Sequence, residues 1–297
     1  MRIPIPGPGR LTLVISAVVL AVMASPWRTN TERWVLGVAA AVAVLALVWW
    51  RGRFLTDILG RRLAMSAGRN THANPSDVAC SATDARTTVA LRLLDDGTAV
   101  PLTVISGYLE RYGIRSDAIR VTRREIPGNR TTWIGLTVSA AANIAVLQAR
   151  SMDLPLRDTA EVALRRLADH LRELGWAVST TDVDVPDLLG PQTRERWRAV
   201  QDGSHGYVAA YAVSIEDPDD SLGDTLDRLY ALEATELWTA VEITGTREAP
   251  RLAVACAVRT DDVPDSSPVP ALRPQNGDHR RALQALHPLA TERLVRT

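Results

Sequence analysis

The residues of this chain best able to do chemistry are two short acidic patterns, Asp182-Val183-Asp184 and Asp217-Pro218-Asp219 with Asp220 adjoining. Carboxylates one residue apart on a loop offer the hard oxygen ligands that Mg²⁺ and Mn²⁺ prefer, and a cation held there could brace a nucleotide-sugar diphosphate. His205, near the second pattern, could complete such a site. A glycosyltransferase-like enzyme is the alternative function this chemistry defines. Against it stands a structural reading. Asp219 and Asp220 fall in the first turn of a helix opening near Ser221, where negative charge favours the helix dipole. A DxD pattern also arises readily by chance, so the structural reading is preferred.

The remaining reactive side chains form no recognisable set. His72, His170, His205, His279 and His287 are scattered, with no HExxH and no paired Cys/His spacing for zinc. Neither GxxxxGK[ST] nor GxGxxG occurs, which argues against an ATPase or a Rossmann dehydrogenase, and no GxSxG elbow marks a hydrolase nucleophile. Cys80 lies in a polar linker, and Cys256 shares alternate positions with Leu252, Val254 and Val258, so Cys256 reads as a small core hydrophobe. His170 sits beside a leucine stripe and reads as a boundary residue. The sequence nominates no catalytic residue, no cofactor-binding residue and no metal ligand.

The elements that would position any such group hang from two apolar runs, Leu11 to Ala24 and Trp34 to Trp50, neither of which holds a charge or a proline. Crossing roughly 30 Å of hydrocarbon takes about 17 to 25 apolar residues, and in lipid a lone segment must satisfy its backbone as a helix. The runs therefore predict two transmembrane helices, at about 11–25 and 34–50, turning at Pro26. Trp27 and Trp34 flank the turn, and Trp49 and Trp50 close the second helix, where indoles anchor at the headgroup level. Arg2 and Arg10 precede the hairpin and Arg51, Arg53, Arg61 and Arg62 follow it, so both ends are expected on the cytoplasmic side. Val22-Met23-Ala24 also resembles a signal-peptidase site; cleavage there would leave the compartment of the rest unchanged. All 34 basic residues are Arg and the net charge is zero, which argues against a nucleic-acid binder.

Beyond the hairpin, 51–65 reads as a juxtamembrane helix whose arginines could meet anionic lipid, and 66–85 as a linker. A strand is expected at Val89, Leu91 and Leu93. A helix opening at Pro101 should stripe Leu102, Ile105, Leu109 and Tyr112, and two strands should flank Pro127-Gly128-Asn129. After a short helix at 140–150, Asp158 and Glu161 form a capping-box pattern for a helix burying Leu164, Leu167, Ala168, Leu171 and Leu174, followed by a strand from Trp176. An irregular connection, 182–201, leads to a second strand, helix, strand, strand series from Gly206 to Val258. The predicted class is α+β: a transmembrane hairpin (1–50), then a cytosolic domain (86–260) with a mixed or antiparallel sheet from two βαββ-type units, about 86–183 and 206–260. A Pro-rich tail, 261–297, carries a short helix near 278–286, and Leu283 and Leu286 give it something to dock.

Several stretches are familiar together. They are Thr31-Glu32-Arg33-Trp34-Val35-Leu36-Gly37, Val48-Trp49-Trp50-Arg51-Gly52-Arg53-Phe54-Leu55, Gly107-Tyr108-Leu109-Glu110-Arg111-Tyr112-Gly113-Ile114, Leu147-Gln148-Ala149-Arg150-Ser151 and Arg166-Leu167-Ala168-Asp169-His170-Leu171-Arg172-Glu173, with the tail from Asp278 to Leu294. Along essentially its full length the chain resembles the EccE family, a core membrane component of mycobacterial ESX (type VII) secretion systems, and is most similar to the short subtype linked to iron and zinc acquisition. The resemblance implies a non-enzymatic subunit in the plasma membrane, assembled with EccB, EccC and EccD, of which EccC is the ATPase motor. It brings no agreed catalytic residues and no cofactor.

Overall fold

In the computed structural model the described residues are 49–50, 53–54, 85–94, 100–151, 154–181, 183–213, 222–232 and 234–295. The two apolar runs up to Val48, with Trp27, Trp34, Arg51, Arg61, Arg62 and the linker up to position 84, lie outside them. No helix among the described residues is long and apolar enough to cross a membrane. Within the N-terminal unit, Met1–Asn70, Trp49–Trp50 pairs antiparallel with Arg53–Phe54, where the sequence predicts helix on both sides.

The second unit, Thr71–Thr297, is built on one sheet. Its first series is β1 (Arg86–Leu93), α1 (Leu102–Ser106), β2 (Ile114–Ile126), β3 (Asn129–Ser139), α2 (Ala140–Arg150), α3 (Leu156–Glu173) and β4 (Val178–Ser179). The connection carries β5 (Thr193–Glu195) and β6 (Val200–Asp202). The second series is β7 (Tyr207–Val213), α4 (Leu222–Tyr230), β8 (Glu236–Gly245) and β9 (Pro250–Thr260), followed by β10 (Leu272–Pro274) and α5 (His279–Gln284). The strand order is β4-β1-β3-β2-β8-β9-β7-β6-β5, with β10 on β7 beside β6, and every pair is antiparallel.

The two series share a register as well as an order. Val121 faces Ile134 in the first hairpin and Val241 faces Val254 in the second, a constant offset of 120 positions. Val121 also faces Val241 where the halves join, so a local two-fold axis passes through that pair. Joining β2 to β8 removes the two edges that separate half-sheets would expose to aggregation.

Period-2 alternation sends Val89, Leu91, Ile119, Val121, Ile134 and Leu136 to one face, where Ala160, Leu164, Leu167 and Leu171 of α3 pack on them. Leu226 and Leu229 of α4 cover the same face of the second half over Val241, Val254 and Cys256. The opposite face is lined by Trp133, Trp238 and small residues, Ala210, Ala240 and Ala255. Methyl side chains there let a third layer approach closely. That layer is the tail, through Leu283, Leu286 and Leu294, together with Leu188 of the connection.

Local details differ from the sequence reading for physical reasons. The helix from Pro101 stops at Ser106 and tightens into a 3₁₀ turn over Gly107–Leu109, so Tyr112 leaves the stripe. α3 starts two residues before Asp158, after Pro155 and without a side-chain cap, which places Asp158 in the first turn as a dipole partner instead. Leu174 falls past the helix end and is exposed.

The closest approach of the third layer is at Gly135, where an added Cβ would lie 2.0 Å from the Pro288 carbonyl oxygen. Both sides of that contact are backbone, so Gly135→Ala forces the tail away and should cost about 1–3 kcal/mol. Gly107→Ala, which meets nothing within 4 Å, should be neutral. Thermal unfolding of the full chain in detergent, with limited trypsin digestion reporting tail release, checks the contrast.

Candidate functional site

The most constrained polar cluster sits beside the local axis, on the face the tail covers. Arg120 and Glu242 are directly opposed on β2 and β8, are 3% and 1% exposed, and pair at 2.6 Å. Arg120 Nη1 also donates to the carbonyl oxygens of His287 (3.0 Å) and Ala290 (2.9 Å), and Nη2 to that of Glu292. Thr122 donates to the Leu286 carbonyl at 2.9 Å. From the tail side, Leu294 N donates to Glu242 at 3.4 Å, and Arg293 bonds both the carbonyl (2.6 Å) and the carboxylate (2.7 Å) of Asp117. Burial lowers the Arg120 pKa while the Glu242 charge opposes that effect. One ion pair thus anchors the C-terminal stretch of chain to the middle of the sheet.

A second cluster fixes the connection. Glu236 accepts from Arg124 (2.5 Å), Arg259 (2.7 Å) and Trp238 Nε1 (2.9 Å). Arg259 continues to Asp202 (2.8 Å) and the Leu188 carbonyl (2.8 Å), and Asp202 accepts from Gly190 N at 2.9 Å. The indole of Trp238 stacks on Trp133 at 5.7 Å. A cleft of about 680 Å³ opens beside Arg293 and Leu294, lined by Glu110, Arg115, Asp117, Glu242 and Arg251 among others. Its charges are mixed, so it selects neither anions nor cations.

Among the described residues, those singled out from sequence are not assembled into a centre. Asp184 is exposed on the connection, and Asp182, Asp217, Asp219 and Asp220 lie outside the described residues. His205 is exposed, its amide donating to the Asp202 carbonyl. Among the described residues no group of three or more His, Cys, Asp or Glu side chains could hold a metal ion. Cys256 is buried and its thiol is pushed up to about 12 by desolvation, so it carries no thiolate. His279 is fully buried, with Nδ1 accepting from Ala210 N (3.1 Å) and Nε2 facing the Trp197 carbonyl (3.2 Å), a neutral imidazole used as a strut. His170 Nδ1 lies 3.1 Å from Arg111 Nη1 and 3.3 Å from the Tyr108 hydroxyl. Sequence reasoning missed Arg120 and Glu242; the available signal was a charge flanked by apolar residues on both sides, as in Ile119-Arg120-Val121 and Val241-Glu242-Ile243.

Removing one partner of a buried pair strands the other, so Glu242→Ala should cost about 3–5 kcal/mol, measured by denaturant unfolding followed through tryptophan fluorescence. Acid should weaken the fold in two steps. Burial holds the His287 pKa below its ordinary 6.5. At Glu236 burial raises the pKa, but hydrogen bonds from Trp238, Arg124 and Arg259 outweigh it and bring it below 4.5. In both cases the folded state binds fewer protons than the unfolded one. Each contribution is therefore complete above the ordinary value and is lost as pH falls through the lowered one. His287→Gln should flatten the step below pH 6.5, and Glu236→Gln the one below pH 4.5.

The family model described as "type VII ESX secretion system translocon, EccE" matches residues 126–213. The ESX-3 secretion system protein EccE3 of Mycolicibacterium smegmatis is 49% identical over 288 residues, covering 96% of this chain and 89% of that protein. EccE3 of Mycobacterium tuberculosis is 46% identical over 298 residues, covering 97% and 87%. The family is one of secretion-system components and not of enzymes, and with similarity spanning nearly its whole length this chain belongs to the EccE family.

Proposed function

We propose that this chain is a structural subunit of a type VII (ESX) secretion complex in the plasma membrane. The hairpin of about 1–50 anchors it through Trp27, Trp34, Trp49 and Trp50, and Arg51, Arg53, Arg61 and Arg62 hold both termini on the cytoplasmic side. The α+β domain is then displayed in the cytoplasm, where it docks on EccB, EccD and the ATPase EccC. The observation that carries this reading is the near full-length identity to EccE3 proteins of ESX-3 systems. The short subtype linked to iron and zinc acquisition is the system we assign. A glycosyltransferase built on the aspartate patterns has no support: Asp184 is solvated, and among the described residues no group of three or more His, Cys, Asp or Glu side chains could hold a metal ion.

Purification of the tagged full chain in mild detergent should bring EccB, EccC and EccD with it. Protease added outside intact cells should leave the portion after Met65 uncut. Elution of the chain alone, or external digestion of that portion, contradicts the proposal.

A further inference from the structure

Glu110–Arg111 pairs with the start of β2, Glu110 opposite Arg115 and Arg111 opposite Ile114, around a two-residue turn. Both turn residues have positive φ, Tyr112 at 56° and Gly113 at 75°. Such turns favour Asn, Asp or Gly at the first position, and a tyrosine there costs about 1–2 kcal/mol. Burial does not offset that cost, since Tyr112 is 59% exposed. Instead its ring meets two guanidinium groups, Arg166 of α3 at 4.5 Å and Arg111 at 5.3 Å, the latter also lying 4.6 Å from the Tyr108 ring.

The other charges on this side are mostly neutralised. Glu161 pairs with Arg157 and Arg165, Asp169 with Arg172, and Arg115 lies near Glu110. Arg111 and Arg166 form no ion pair among the described residues, and a carboxylate that shares their surroundings is Glu173, whose charge acts on Tyr108 together with theirs. Arg166 and His170 lie four residues apart on α3, and Leu174, just past the end of that helix, is 51% exposed.

We propose that Arg111, Tyr112, Arg166, His170 and Leu174 form a docking surface for an acidic segment of another protein subunit. Stacking on a ring leaves a guanidinium's in-plane N–H groups available to grip a carboxylate bidentately; on Arg111 the Nη1 group already lies 3.1 Å from His170 Nδ1, so Arg166 is the principal grip. The exposed Tyr112 and Leu174 supply the apolar contact that such a segment needs beside its charge. Tyrosine and arginine are the residues that concentrate binding energy at protein interfaces. A lipid surface would instead call for a spread of uncompensated basic charge, which the paired arginines around the patch do not provide. The inference rests on the reading of this chain as a subunit of the complex.

The test uses the full chain in its native complex, purified in mild detergent. A photo-crosslinking phenylalanine derivative at position 112 should capture an acidic segment of another subunit, identified by mass spectrometry. Arg111→Glu with Arg166→Glu should lower retention of the chain in the complex at least tenfold, while Arg247→Glu, on an exposed loop far along the sequence, should leave it unchanged. Tyr112→Gly separates docking from folding: it relaxes the turn, so the melting temperature should hold or rise while retention falls. Crosslinks to lipid alone, or wild-type retention of the double variant, overturn the docking surface but leave the subunit reading standing. Failure of the wild-type chain to co-purify with any other subunit overturns both.

Discussion

The buried pair of Arg120 and Glu242 is the interaction on which the arrangement of this domain turns. An ion pair in an apolar setting is a poor source of net stability, because desolvating both charges offsets most of their attraction. What it confers is position. Nη1 and Nη2 of Arg120 donate to the carboxylate and to three carbonyl oxygens of the tail. Those carbonyls lie in irregular chain that has no ladder of its own. A buried carbonyl without a donor costs about as much as a lost hydrogen bond, so the tail has few other paths across the sheet.

The need for a third layer follows from the doubled architecture. Each βαββ series brings helices to one face only, and joining the halves at Val121 and Val241 puts both sets of helices on the same side. The other face would expose Trp133, Trp238 and a field of alanines. The tail and the connection close it, held by Arg120–Glu242 and by Glu236–Arg259–Asp202. Neither clamp is symmetric: the position equivalent to Arg120 is Ala240, directly opposite Thr122, and its small side chain leaves room for the chain that Arg120 secures. A sheet sealed on both sides leaves the helix side and the strand ends as surfaces for partners.

Elements with strong local signals were legible from sequence. The period-2 runs of β1, β2, β3, β8 and β9, the leucines of α3 and the turn at Pro127-Gly128 all stand where alternation and turn chemistry place them. So does the recurrence of the series, because it lies in element order. What depends on long-range register was not legible. Arg120 and Glu242 meet only because β2 lies beside β8, a pairing that local pattern does not reveal. The helix at Leu102 ended early in a 3₁₀ turn over Gly107–Leu109, which moved Tyr112 from a stripe to an exposed turn. Asp158 matched a capping pattern, yet Pro155 had already opened α3. The tail showed leucines able to dock without showing the face that would receive them.

Whether the buried pair makes the tail an integral layer of the domain can be read by native-state hydrogen exchange on the full chain in detergent. If it does, the amides of Ala282, Ala285 and Leu286, each bonded within the short helix and its cap, should exchange only as slowly as β2 and β8 open. Rapid exchange of those amides while the central strands stay protected would mean that the tail merely rests on the sheet, and would contradict the organising role of Arg120 and Glu242.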